Sequence, residues 1–378
     1  MYSLLKGVRV LDFTKLIPGA YATAKLADLG ADVIKLEQPP AGDYLRSVPP
    51  LKDGVGLLHL ALNRNKRSVL LDLSSPEGQE QFAKLVGTAD VFIEGGRPGA
   101  AARAGADYES LRKIKPDIIY CSISGYGQNG PYSGLPSHGA NMDAAAGYVD
   151  VQPRDDGTST VPNIRVFTAS QSGGLHAALG IAAALHKRHT TGEGSYLDVG
   201  CWDSAVSWMY GNLTCLMNTG ELFPGSERMG PKYGCYQTSD SRWIVVALLE
   251  PKFWHRFCEE SGRADLTSNV DEESLTDFGS ESLRGEIGDH IRTRTQKEWL
   301  EFAVEHQLPI APVLSPKELL DNEHVAVREM LTDAPHPRSG ERIGLVALPI
   351  KVGGETFEVR LPAPEIGQQT DEILSEIS

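Results

Sequence analysis

Three segments of this chain carry residue types suited to gripping or activating an anionic ligand. Asn63-Arg64-Asn65-Lys66-Arg67 precedes a strand-like run, and Gly95-Gly96-Arg97-Pro98-Gly99, with Arg103 behind it, follows one. Glycine lets a backbone approach a phosphate closely, and arginine offers a fork of donors. The plain alternative for both is a solvated charge run beside an ordinary turn. Ala169-Ser170-Gln171-Ser172-Gly173-Gly174 opens a long alanine-rich stretch. Free backbone N–H groups at a helix start there suit a carbonyl oxygen or oxyanion, or serine simply caps the helix. Two single residues complete the set. His138 follows the glycine-rich run Gly125-Tyr126-Gly127-Gln128-Asn129-Gly130 and is either a proton shuttle or a hydrogen-bonded loop residue. Glu250 lies between an apolar run and a helical one, where its charge favours the helix start.

Other chemistries lack their residues. The turn Thr14-Lys15-Leu16-Ile17-Pro18-Gly19 has no G-x-G-x-x-G, which removes most support for a nicotinamide or flavin site, and no Walker A lysine motif occurs. No G-x-S-x-G surrounds Ser170 or Ser172. The ten histidines and five cysteines form no metal-ligand spacing, so no metal is expected. Cys121, Cys201, Cys215, Cys235 and Cys258 are scattered and odd in number, as expected of buried thiols in a reducing cytoplasm. A formal charge of −14 argues against a nucleic-acid surface, though one local basic pocket for a phosphorylated ligand remains compatible with it. No apolar run reaches the roughly 20 residues that span a bilayer, so no membrane partner is expected. The start MYSLLKGVRVLDF runs directly into a strand-like segment, without the pattern of a leader.

The elements that must position these residues follow an α/β rhythm. Val8–Phe13, Ala31–Leu36, Ser68–Leu73, Val91–Glu94, Ile118–Ser122 and Ser195–Val199 read as strands. Helical patterns over Tyr21–Leu29, Glu77–Val86, Gly174–His189 and Trp202–Asn212 come between or after them, which implies a parallel sheet with crossover helices. Ser75 followed by Pro76 and Glu77 is a helix start. Character changes after residue 215. Residues 216–232 read as a linker and 233–324 as a smaller α+β domain with a strand Trp243–Leu249, helices Pro251–Ser261 and Thr295–His306, and a strand Ala311–Val313. The tail 325–378 is expected to rejoin the large domain formed by 1–215.

Several pieces in a fixed order resemble the family III CoA-transferases, a superfamily that includes formyl-CoA transferases and α-methylacyl-CoA racemases. They are Gly7-Val8-Arg9-Val10-Leu11-Asp12-Phe13, Leu29-Gly30-Ala31-Asp32-Val33-Ile34-Lys35-Leu36-Glu37, Asn65-Lys66-Arg67-Ser68, Arg97-Pro98-Gly99, Ser124-Gly125-Tyr126-Gly127, Gly192-Glu193-Gly194 before Asp198, and the terminal Pro362-Ala363-Pro364 with Gly367-Gln368. The resemblance implies an interlocked dimer, either of two copies or with a paralogous subunit. It implies a coenzyme A thioester as substrate rather than a bound prosthetic group, and a carboxylic acid as its partner. It puts Lys66, Arg97 and Arg103 near the phosphates and adenine, with Leu16, Leu71 and Ala100 in packing contact. Gln38 stands where many relatives carry arginine. His138 matches the racemase catalytic histidine, and Glu250 the glutamate that supports it. The family's catalytic aspartate is replaced, with Ala169 as its counterpart and Ser170 one residue on. Three readings therefore stand: CoA transfer between an acyl-CoA and a carboxylic acid, α-proton exchange through His138 and Glu250, and a catalytically silent CoA-binding subunit or inactive variant.

Overall fold

The structure, a computed structural model, describes residues 1–159, 167–223, 229–271 and 273–377. The chain forms two compact units, one of Met1–Met209 with Ala326–Ser378 and one of Tyr210–Val325. The first unit begins β1 (Arg9–Phe13), α1 (Leu16–Asp28), β2 (Asp32–Glu37), the short strands β3 (Leu51–Lys52) and β4 (Val55–Gly56), α2 (Leu57–Leu62), β5 (Lys66–Leu70), α3 (Pro76–Gly87) and β6 (Val91–Glu94). It continues α4 (Ala100–Arg103), α5 (Tyr108–Ile114), β7 (Ile119–Ser124), α6 (Gly139–Ala145), α7 (Thr168–Thr191), β8 (Ser195–Gly200) and α8 (Cys201–Trp208).

Six of these strands form one parallel sheet in the order β5-β2-β1-β6-β7-β8, so the expected α/β class holds. Most strand positions are buried because both faces are covered, and this includes polar residues such as Asp12, Lys35, Ser68 and Ser122. Alternation along each strand divides its side chains between two cores. Val10, Val91, Ile93, Ile119 and Cys121 pack with residues of α1, α7 and α8. Leu11, Ile34, Phe92 and Tyr120 pack with residues of α3 and α5 and with Ile373 near the chain end.

Ser75 caps α3 as its sequence implies, its hydroxyl accepting from Gly78 N–H at 3.0 Å. Two other helices begin earlier than their sequences suggest. α1 starts at Leu16 rather than Tyr21, and α7 at Thr168 rather than Gly174. The start of α7 is satisfied from a distant element. Asp143 on α6 accepts from Ala169 N–H at 2.7 Å and Thr168 N–H at 3.2 Å. A carboxylate at a helix N-terminus stabilises it through both hydrogen bonds and the dipole.

The second unit holds α9 (Tyr210–Thr219), β9 (Tyr233–Gln237), β10 (Trp243–Ala247), α10 (Pro251–Ser261), α11 (Leu283–Ile291), α12 (Gln296–Glu305), β11 (Ile310–Pro312) and α13 (Glu323–Val327). Its antiparallel sheet, β11-β10-β9, packs a core centred on Trp254, Phe257 and Trp299. Thr295 closes a capping box with Glu298 at the start of α12. Residues 216–219, expected within a linker, belong to α9. The return segment adds a hairpin of β12 (Leu331–Pro335) and β13 (Arg342–Val346), then α14 (Thr370–Glu376), whose Ile373 is fully buried. The cysteines depart from a uniformly buried set. Cys121, Cys201 and Cys258 are buried, Cys215 is half-buried and Cys235 is exposed.

Candidate functional site

Strand order reverses between β1 and β6, and open α/β sheets bind ligands at such a switch point, beyond the carboxyl ends of the strands. A cavity of about 470 Å³ lies there. Its wall comes from the turn after β1 (Lys15 to Gly19), Gly95 after β6, the end of β7 (Ile123 to Gly125), the start of α6, and Phe167 and Ser170 at the start of α7. Leu45, Val48, Leu58 and Met142 make much of the rest apolar. The lining residues with polar side chains are Lys15, Ser124, Ser137, His138 and Ser170; the Lys15 ammonium lies over the Tyr44 ring, 5.3 Å from its centroid. Among the lining residues there is no aspartate or glutamate. Cys201 also lines the wall, but burial pushes its thiol up to about 12, which leaves it protonated and inert.

A buried ion network fixes the floor. Asp12 accepts from Thr14 N–H at 3.0 Å, Thr14 Oγ1 at 2.6 Å, Thr23 Oγ1 at 2.7 Å and Lys66 Nζ at 3.1 Å. Lys35 pairs with Asp43 at 2.8 Å and lies 3.9 Å from Asp12. Asp43 in turn accepts from the backbone N–H groups of Leu16 at 3.1 Å and Leu45 at 3.0 Å, two residues of the cavity wall. Leu16 holds φ of 64°, a left-handed conformation unfavourable for a bulky side chain, so this hydrogen bond helps keep the turn in place. Burial opposes ionisation of Asp12, yet Lys35 and Lys66 hold its carboxyl well below the usual range. Burial likewise pushes the Lys66 ammonium down to about 8 against the pull of Asp12.

His138 and Ser170 are held by one clasp. His138 caps the N-terminus of α6, Asp143 on the same helix caps α7, and Ser170 lies in the first turn of α7. Gly139 packs directly on Phe167, where an added Cβ would come within 2.4 Å of the ring. Glycine is required at that contact.

A second cavity of about 500 Å³ is lined by the residues following β6 together with α4, α5 and the aromatic rings of Tyr108, Tyr120 and Tyr196. Arg97 is in its wall. The loop carrying Arg97 is tied down by Glu94, which accepts from Gly96 N–H at 2.7 Å and from the Ser122 hydroxyl. Burial pushes the Glu94 carboxyl up.

The residues singled out from the sequence therefore separate. Leu16 and His138 line the first cavity and Arg97 the second. Ala100 and Arg103 lie on the short helix α4 beside Arg97, and Gln38 is half-buried just past β2. Lys66 and Leu71 do not reach a ligand surface. Lys66 is 1% exposed and spends its ammonium on Asp12, Thr23, Asn63 and the Ala20 carbonyl; Leu71 is 2% exposed inside the core. The whole 63–67 segment faces inward or is paired, because Arg64 grips Asp28 and Arg67 bridges Asp32, Glu372 and Glu376. Ala169 is fully buried in the core, and Ser170 is its neighbour on the cavity wall. Glu250 belongs to the second unit, where it caps α10 without a side-chain bond. The sequence reading passed over Lys15, Ser124 and Asp143. Asp12 and Lys35, charges inside strands apolar enough to be buried on both faces, were the legible signal of the network beneath.

A parallel sheet with a preformed cleft at its switch point defines an α/β scaffold for binding and converting a small molecule. A family profile described as CoA-transferase family III matches residues 5–370, and the chain belongs to that family, whose substrates are CoA thioesters. It is 34% identical to a succinyl-CoA:mesaconate CoA-transferase of Haloarcula hispanica, over 98% of this chain and 96% of that protein. It is 30% identical to the succinyl-CoA–L-malate CoA-transferase beta subunit of Chloroflexus aurantiacus, over 99% and 94% of the two chains. Among solved structures, a hypothetical protein from Mycobacterium tuberculosis matches with a TM-score of 0.83 and 27% identity, over 98% of each chain. Among the described residues no helix is long and apolar enough to cross a membrane.

Proposed function

We propose that this chain binds a short acyl-CoA with its thioester in the 470 Å³ cavity and its nucleotide tail toward Arg97 and Arg103, and takes part in passing CoA to a carboxylic acid. The relatives named above act on succinyl-CoA with mesaconate or L-malate, so the acyl group and acceptor proposed here are small dicarboxylic acids. Lys15, the one permanent cation among the described lining residues, suits their second carboxylate. Leu16, Ala100 and Gln38 are proposed as flanking contacts of the coenzyme.

The observation that carries the reading is the acid-free wall. Passing CoA between acids through a covalent intermediate calls for a carboxylate on the protein. Its mixed anhydride stays reactive enough for the CoA thiolate to return, release the first acid and leave CoA on the protein as a thioester for the second acid to take. We assign that place to Ser170, which lines the cavity, in preference to Ala169, which is buried in the core. Residues 160–166, outside the described set, contain no aspartate or glutamate either. The carboxylate is therefore proposed to come from a paralogous subunit in a cytoplasmic heterodimer. The beta-subunit name of the Chloroflexus relative agrees with that arrangement.

The test is Ser170→Asp in the isolated chain, assayed for succinyl-CoA-dependent formation of a second CoA thioester from mesaconate, L-malate or glutarate. The variant is expected to exceed the unmodified chain by about a hundredfold or more, as restoring a covalent nucleophile does. Equal transfer by the two would remove the need for an outside carboxylate. A second reading, α-proton exchange, is favoured by one observation, the His138 imidazole in the wall. Deuterium uptake into a 2-methylacyl-CoA that disappears in His138→Ala would establish it.

A further inference from the structure

We infer that Ser170 and His138 make the chain by itself an acyl-CoA hydrolase, in which Ser170 Oγ takes the acyl group from the thioester and water releases it as the free acid. The inference rests on the reading that an acyl-CoA occupies the 470 Å³ cavity. Both residues line that cavity, and Asp143 ties α6, which His138 precedes, to the start of α7, which carries Ser170. Ser170 sits in the first turn of a 24-residue helix, where the positive end of the dipole favours a developing alkoxide. A third group points to a ligand independently. Ser124, at the end of β7, is 7% exposed, and its hydroxyl is buried in the cavity wall with no hydrogen-bond partner. A buried hydroxyl without a partner is costly, and a thioester carbonyl oxygen would satisfy it.

The steps balance. Ser170 Oγ bonds to the thioester carbon as His138 accepts its proton, and the carbonyl electron pair moves onto the oxygen facing Ser124. Collapse breaks the C–S bond, and the imidazolium returns the proton to the leaving sulfur, so CoA departs as the thiol. Water then attacks the serine ester with His138 again taking a proton, which passes to Ser170 Oγ as the acid leaves. A serine ester is much less activated than an anhydride, so the CoA thiol does not return to it and the ester ends on water. The anhydride of an aspartate at residue 170 would let the thiolate return and be passed on to a second acid.

Full-length chain is incubated with succinyl-CoA and no acceptor acid, with thiol release followed colorimetrically and the acid-quenched protein digested for mass spectrometry. Thiol release is expected, with one acyl group on the Ser170 peptide. Ser170→Ala should reduce release by about a hundredfold or more while calorimetry shows CoA still bound. His138→Ala should abolish the adduct, and Ser124→Ala should slow release by roughly tenfold. Wild-type rates in Ser170→Ala, an acyl group on another residue, or binding without thiol release would each overturn the hydrolase while leaving the binding reading intact. Failure to bind CoA at all would overturn both.

Discussion

Lys66 offers the clearest separation of a ligand contact from an internal one. In Lys66→Met the side-chain length is nearly kept, but the ammonium that contacts Asp12 at 3.1 Å, Thr23 at 2.6 Å and Asn63 at 2.9 Å is gone. Removing one partner of a buried pair costs about 3–5 kcal/mol. Asp12 still has two Thr14 bonds, the Thr23 hydroxyl and Lys35 at 3.9 Å, which places the cost near the lower end, about 3 kcal/mol. Hydrogen exchange of the β1 and β5 amides reads this within the first unit, and about 3 kcal/mol corresponds to exchange accelerated roughly a hundredfold. Asp12→Asn added to Lys66→Met should recover much of the loss, since the uncompensated charge goes with it. CoA affinity of the folded protein should change by no more than about twofold, because the Lys66 ammonium is buried and bonded to internal partners. A tenfold weaker affinity with unaltered exchange would show that Lys66 turns outward to a phosphate and that the buried network is misassigned.

Two further outcomes follow from the geometry. Arg97→Ala should weaken CoA binding by about 1.5–3 kcal/mol with stability unchanged, and unchanged calorimetric affinity would remove Arg97 from the site. His59 is fully buried, accepts from Asn63 at 3.0 Å and faces the Pro364 carbonyl at 3.3 Å, and burial pushes its pKa down to about 3. The folded chain keeps this imidazole neutral while the unfolded chain protonates it near 6.5, so its contribution is complete above pH 6.5 and is lost as pH falls toward 3. The slope rises to about 1.4 kcal/mol per pH unit between pH 5.5 and 4.5; it should be absent in His59→Gln, and a parallel slope in urea titrations of both proteins would contradict it.

Much of the fold was legible in the chain and only part of the site. β6 matches its expected limits, and the other strands of the sheet fall within a few residues of theirs. The basic run at 63–67 read as a surface feature because its partners Asp12, Asp28 and Asp32 lie far away in sequence. Arg97 is exposed, since a glycine-proline loop after a strand has few ways to bury a guanidinium. The sequence points to Ala169 first and to Ser170 one residue on, whereas in the structure Ser170 lines the cavity and Ala169 is buried in the core.

Sequence alone determined the alternation of apolar runs and helical patterns, hence the parallel sheet, and local starts such as Ser75 and Thr295, because periodicity and caps act between residues a few positions apart. Only the tertiary structure decided the phase of α7. Successive helical residues point about 100° apart, so the orientation of a single side chain depends on where the helix starts. Asp143, on a different helix, is bonded to that start, with Ala169 in the core and Ser170 on the cavity wall.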